Sequence, residues 1–77
     1  MEIAPLKIDI RSPQGNTLEA LGLATTLMRE AGAAQTEIDR LQTDVFNAQT
    51  AAQARKAIEA ATREGIVFVD SQTGERA

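Results

Sequence analysis

The chain of 77 residues contains no cysteine, no histidine, no tryptophan and no tyrosine. Each absence removes chemistry. Without Cys and His there is no zinc finger, no haem or iron–sulfur ligation, no thiol nucleophile and no Ser-His-Asp triad. A disulfide framework is excluded on the same ground. The two phenylalanines are the only aromatic residues, so a base-stacking platform for single-stranded nucleic acid is missing. No apolar run approaches the ~20 residues of a membrane span, and the opening Met-Glu-Ile-Ala-Pro is not a basic-then-apolar leader. The expectation is a soluble, cytoplasmic domain with no cofactor, no metal and no membrane partner.

What is present is 43% apolar residues and 25% charged ones, with eight Lys+Arg against eleven Asp+Glu and a net charge of −3. A chain of this length supports one domain. It buries only about 60–65% of the surface that its unfolded form exposes, so its stability margin is thin. Small domains make up the shortfall with disulfides, metals, idealised helix packing or a partner chain. Here helix packing and a partner chain remain.

The chain then divides by periodicity. Leu6, Ile8 and Ile10 alternate with Lys7 and Asp9, the period of a half-buried strand, and Pro5 marks its start or an edge. Ser12-Pro13-Gln14-Gly15 reads as a turn. Asn16 with Glu19 three residues later caps a helix over 17–31, stopped by Gly32. Leu18, Ala20, Leu21, Leu23, Ala24, Leu27, Met28 and Ala31 give this helix a broad apolar arc, which predicts a central position. Gly22 within it is explained either by the close approach of another backbone or by nothing at all. Thr36 with Asp39 signals a second helix over 37–48, whose seam is Ile38, Leu41, Val45 and Ala48; Phe46 lies off that seam. Thr50 with Gln53 is a capping box for a third helix over 51–64, ended by Gly65. Its buried side is small (Ala51, Ala54, Ala57, Ile58, Ala61), and Glu59 sits four residues from both Arg55 and Arg63 on the other. Residues 66–70, Ile-Val-Phe-Val-Asp, read as β-branched or aromatic and apolar on both parities, a strand covered on both faces. Residues 71–77 form a polar tail expected to fray.

The fold class is therefore α+β, ordered β-α-α-α-β over residues 1–70. Three helices that reverse direction in turn bring the two strands together in parallel; one sideways helix would make them antiparallel. The parallel case is expected. A two-stranded sheet leaves two edges open. Pairing with the same sheet of a second copy, or with another protein's edge strand, would remedy that.

Several residue groups invite a chemical reading. Glu37 and Asp39 are the closest acidic pair, at a helix N-terminus where acids favour the dipole. Ser12 to Asn16 precedes a helix as a phosphate loop does, without the Lys-Ser/Thr or the multiple glycines of one. Arg55, Lys56 and Arg63 on helix three form a basic face for phosphates, interrupted by Glu59 in an acidic chain, which argues against direct nucleic-acid binding. Helix two carries Glu37, Asp39 and Asp44 against Arg40, a face suited to a basic protein surface, with Phe46 as an apolar anchor.

The opening Ile8-Asp9-Ile10-Arg11-Ser12-Pro13-Gln14-Gly15-Asn16, running into Leu18 and the Gly22 helix, resembles small uncharacterised proteins of bacterial phages and prophages. The likeness covers the first half of the chain. It implies an origin in a mobile element and no catalytic residue. Three function classes follow. The first is a non-enzymatic protein-binding module acting through Glu37, Asp39, Asp44 and Phe46; in the phage context it is an inhibitor or modulator of a host nucleic-acid-handling complex, similar to anti-CRISPR proteins. The second is a homo-oligomeric assembly protein using a strand edge or the Ala-rich helix face. The third is a weak nucleic-acid binder through Arg55, Lys56 and Arg63.

Overall fold

The computed structural model describes residues 5–12 and 16–76. The order is β1 (Leu6–Asp9), α1 (Thr17–Glu30), α2 (Gln35–Asn47), α3 (Ala51–Ala61) and β2 (Ile66–Val69). The strands pair in parallel, with Leu6 opposite Ile66 and Ile8 opposite Phe68. The α+β class and the parallel pairing both follow the sequence expectation. Most of the Ser12–Gly15 turn lies outside the described residues.

Local chemistry sets each helix boundary. Asn16 caps α1, its side chain accepting from the Leu18 amide. Gly32, at φ +83°, ends it in a Schellman motif: the Gly32 amide donates to Arg29 C=O and the Ala33 amide to Met28 C=O. That motif leaves Ala34 extended, so α2 starts at Gln35 with Ala34 as its N-cap and no side-chain cap bond. The expected Thr36 cap is thus displaced by two residues. Asp39 accepts instead from the Gln35 side chain at 2.9 Å. Thr50 caps α3 by accepting from the Gln53 amide, and the Gln53 side chain reaches back to the Gln49 amide.

The end of α3 departs further from expectation. It closes at Ala61, and Arg63 and Glu64, not Gly65, take the left-handed conformation (φ 52° and 61°). Amides of Arg63 and Glu64 close the same kind of motif on Ala60 and Glu59 carbonyls. Arg63 is therefore off the helix and out of line with Arg55 and Lys56.

The hub is α3, not α1. It touches α1, α2 and β2, because Ala54, Ala57 and Ala61 around Ile58 let three neighbours approach closely. Ala51, read as part of that face, is exposed. The core gathers Ile8, Ile38, Leu41, Ile58, Ile66 and Phe68, all fully buried. Helix α1 faces it through the buried Ala20, Leu21, Ala24, Thr25 and Met28, with the half-buried Leu23 and Leu27 packed beside them; Leu18 stays 61% exposed. Gly22 has nothing within 4 Å of where a Cβ would sit, so no backbone approaches it.

The sheet edges differ from each other. Between the strands, the ladder takes the amides of Leu6 and Ile10 to Gly65 and Val69 carbonyls. The alternation of a parallel pair then turns the Ile66 and Phe68 amides of β2 outward. Both are met. Ile66 N–H donates to Thr62 Oγ1 at 3.3 Å and Phe68 N–H to Glu59 Oε2 at 2.9 Å. The next outward amide, Asp70, donates to Glu75 C=O at 2.8 Å where the tail turns back, and Arg76 forms an antiparallel bridge with Val69. The polar tail is thus a hydrogen-bonded turn over residues 71–76. Glu59 does not pair with Arg55 or Arg63 as its spacing suggested. Its carboxylate, 13% exposed, serves β2 and Arg76 (3.3 Å), and Arg76 also reaches Glu64 at 3.5 Å.

Two predictions follow from these contacts. Glu59→Ala leaves the Phe68 amide without a partner and should cost about 1–3 kcal/mol in urea unfolding, while Glu59→Gln keeps an acceptor and loses less than half of that. Gly22→Ala fills open space on a helix surface and should raise stability by about 0.5–1 kcal/mol; a loss would show that the backbone there is constrained.

Candidate functional site

The residues singled out by sequence do not form one face. At about 100° per residue, Ile38, Leu41 and Val45 point into the core, and the flanks of α2 diverge from that seam. Glu37, Arg40 and Asp44 fall on the flank toward α3. Asp39 and Phe46, seven residues apart, fall together on the other flank, about 110–130° from the seam. The acidic set is therefore divided between two surfaces, with Glu37 and Asp44 on one and Asp39 on the other.

The first surface is a groove of about 330 Å³ between α2 and α3. Its floor is Met28, Leu41, Ala57 and Ala61, and its rim carries Glu37, Arg40, Asp44 and Arg63. The groove exists because the alanines of α3 are too short to fill the space beside Leu41. Two acids and two arginines around it leave no net charge, so it is not a field for an ion of either sign. Among the described residues no group of three or more Asp, Glu, His or Cys converges as a metal site.

The second surface is the outward side of α2. Phe46 is 70% exposed there. A phenyl ring left in water forgoes the roughly 1.5–3 kcal/mol that its burial would supply. Asp39, two turns earlier, stands about 10 Å along the axis. Its carboxylate is oriented by the Gln35 side chain, and the Thr43 hydroxyl between them donates back to the Asp39 carbonyl.

The basic set is divided as well. Arg63 borders the groove, Lys56 is exposed, and Arg55 lies on the other flank of α3. There it lines a shallow depression with Ile10, Arg11, Ser12, Asn16, Thr17 and Glu19. Arg55, Lys56 and Arg63 do not form one phosphate-binding face, since α3 ends before Arg63.

One cluster was not visible in the sequence. The ends of β1 and β2 are clasped by Arg11, whose Nε and Nη2 donate to the two carboxylate oxygens of Asp70 at 2.9 and 3.3 Å. Asp9 Oδ1 accepts from the Arg11 and Ser71 amides at 3.0 and 3.4 Å. These bonds set the charges. The Arg11 side chain, and secondarily the Gln72 amide, hold the Asp70 carboxyl below its ordinary value. The Arg11 amide chiefly does the same for Asp9. Asp70 in turn raises Arg11, and Glu59 is the main group that raises Arg76. A clasp whose guanidinium is already committed to a carboxylate holds strands together and offers little to a ligand.

No protein-family model, no curated protein and no solved structure matches this chain. No helix among the described residues is long and apolar enough to cross a membrane.

The clasp predicts a pH dependence. Carboxylates held below their unfolded value near 3.9 stabilise the fold above that value, and this contribution is lost as the pH falls through their folded values. The urea midpoint should therefore drop between about pH 4 and pH 2, and the drop should shrink in Asp70→Asn. An equal drop in the variant would place the acid sensitivity elsewhere.

Proposed function

We propose that this protein is a non-enzymatic binding module whose outward α2 surface docks on another protein, with Phe46 as the anchor and Asp39 beside it. The observation that carries the reading is the exposure of Phe46 at 70% on a helix whose other large apolar residues are buried. Aromatic anchors surrounded by polar groups are the usual energetic centres of protein interfaces. Asp39 favours a partner with a basic surface around an apolar pocket. The acidic charge of the whole chain supports the same choice of partner. In the sharper form suggested by the phage-like opening, the partner is a host complex that handles nucleic acid and the protein is its inhibitor or modulator.

Glu37 and Asp44 border the groove on the other flank of α2 and take a smaller part in this reading. The weak nucleic-acid reading through Arg55, Lys56 and Arg63 is disfavoured, because the three do not share a surface.

The test compares partner capture from a bacterial host extract by the wild type and three variants. Phe46→Ala and Asp39→Lys should each weaken capture at least tenfold, with helical circular dichroism unchanged, while Glu37→Lys should retain it. Equal capture by wild type and Phe46→Ala would contradict the proposal. A labelled oligonucleotide should show no anisotropy change with the protein at low salt; binding that falls steeply with salt would favour the third class instead.

A further inference from the structure

We propose that the open edge of β1 pairs with the same edge of a second copy, antiparallel about a two-fold axis at Lys7, to give a four-stranded sheet. This goes beyond the α2 surface and does not depend on it.

The two sheet edges differ in which backbone groups already have partners. The edge of β2 is closed, as its outward amides are held by Thr62, Glu59 and Glu75. On β1 the ladder with β2 uses alternate residues beginning at Leu6 and reaching Ile10, so Lys7 and Asp9 point their amides away from the sheet. The outward carbonyls are those of Pro5, Lys7 and Asp9. Asp9 C=O is already occupied, accepting from the Ser12 amide at 3.0 Å and the Ser12 hydroxyl at 2.7 Å. Among the described residues this leaves two donors without partners, Lys7 and Asp9 N–H, and two acceptors, Pro5 and Lys7 C=O.

One symmetric register satisfies all four. With Lys7 opposite Lys7 of the other copy, the two Lys7 residues exchange both their hydrogen bonds. Asp9 then lies opposite Pro5, and each Asp9 amide donates to a Pro5 carbonyl. The return bond of that pair is not needed. Pro5 has no amide to give it, and Asp9 C=O has its donors already. The neighbouring symmetric register, Lys7 opposite Asp9, demands the occupied Asp9 carbonyl twice and fails.

Side chains agree with this register. Leu6, 45% exposed on the same side as the buried Ile8, comes opposite Ile8 of the other copy and is covered. The two Lys7 ammonium groups face each other, but each has an Asp9 of the other strand on its diagonal, so the four charges sum to zero. An isolated two-stranded sheet is marginal in water, and a four-stranded one is not.

The absence of cysteine allows a clean test. In the proposed register the two Cα atoms of residue 7 lie about 5.5 Å apart, the separation a disulfide requires. Lys7→Cys should cross-link rapidly under mild oxidation, and Ala52→Cys, exposed on α3, should cross-link only at the collisional rate. Sedimentation equilibrium of the wild type at tens of micromolar should approach twice the 8.2 kDa chain mass. Lys7→Pro removes an outward donor that the internal ladder does not use, and should return the mass to a single chain with helical content intact. A single-chain mass for the wild type at every concentration, equal cross-linking of the two cysteine variants, or a dimer that survives Lys7→Pro would each overturn the proposal.

Discussion

The Glu59 carboxylate of α3 accepts the Phe68 amide of β2, and much of the architecture depends on that bond. β2 is the most buried segment of the chain, with Ile66, Val67 and Phe68 all inside. It belongs to a sheet of two strands, so one of its edges has no strand to satisfy it. A buried amide without an acceptor costs about as much as a fully lost hydrogen bond, a large share of what 77 residues can hold in reserve. Supplying the acceptor from a helix side chain solves this without a third strand. Arg76 then turns the charge of Glu59 to use, fastening the tail along the same edge.

That arrangement also decides where the surface is unfinished. With the outer edge of β2 closed, the open backbone belongs to β1, and among the described residues the exposed large apolar side chains are Leu6, Leu18 and Phe46. They lie on three different elements. Leu6 sits at the β1 edge and Phe46 on the far side of α2, so the molecule has room for both self-pairing and a second partner. The groove between α2 and α3 is a by-product of the small residues that make α3 the hub, and its rim charges cancel.

Much of this was legible from residue order. The 2-residue alternation of Leu6, Ile8 and Ile10, the caps at Asn16 and Thr50, Gly32, and the seam Ile38-Leu41-Val45 each report a local preference that the fold obeys. Local rules failed where long-range contacts compete. Glu59 sits four residues from two arginines, yet the Phe68 amide and Arg76 claim it, because a pair exposed to water is worth less than a bond to a buried amide. Gly65 looks like the end of α3, but the motif closes two residues earlier on Arg63 and Glu64. The broad apolar arc of α1 suggested a central helix; the small face of α3 took that place because close approach, and not total hydrophobicity, sets which helix meets the most neighbours. Of the candidate site, the exposure of Phe46 was readable from its angle to the seam. The division of Glu37 and Asp44 from Asp39, and the Arg11–Asp70 clasp across 59 residues, needed the tertiary structure.

Amide hydrogen exchange by NMR reads the bond between Glu59 and the Phe68 amide itself. If Glu59 closes the β2 edge, the Phe68 amide exchanges as slowly as those of Val67 and Val69, which lie in the ladder with β1. If Phe68 exchanges orders of magnitude faster than these two neighbours, the edge is open and Glu59 does not close it.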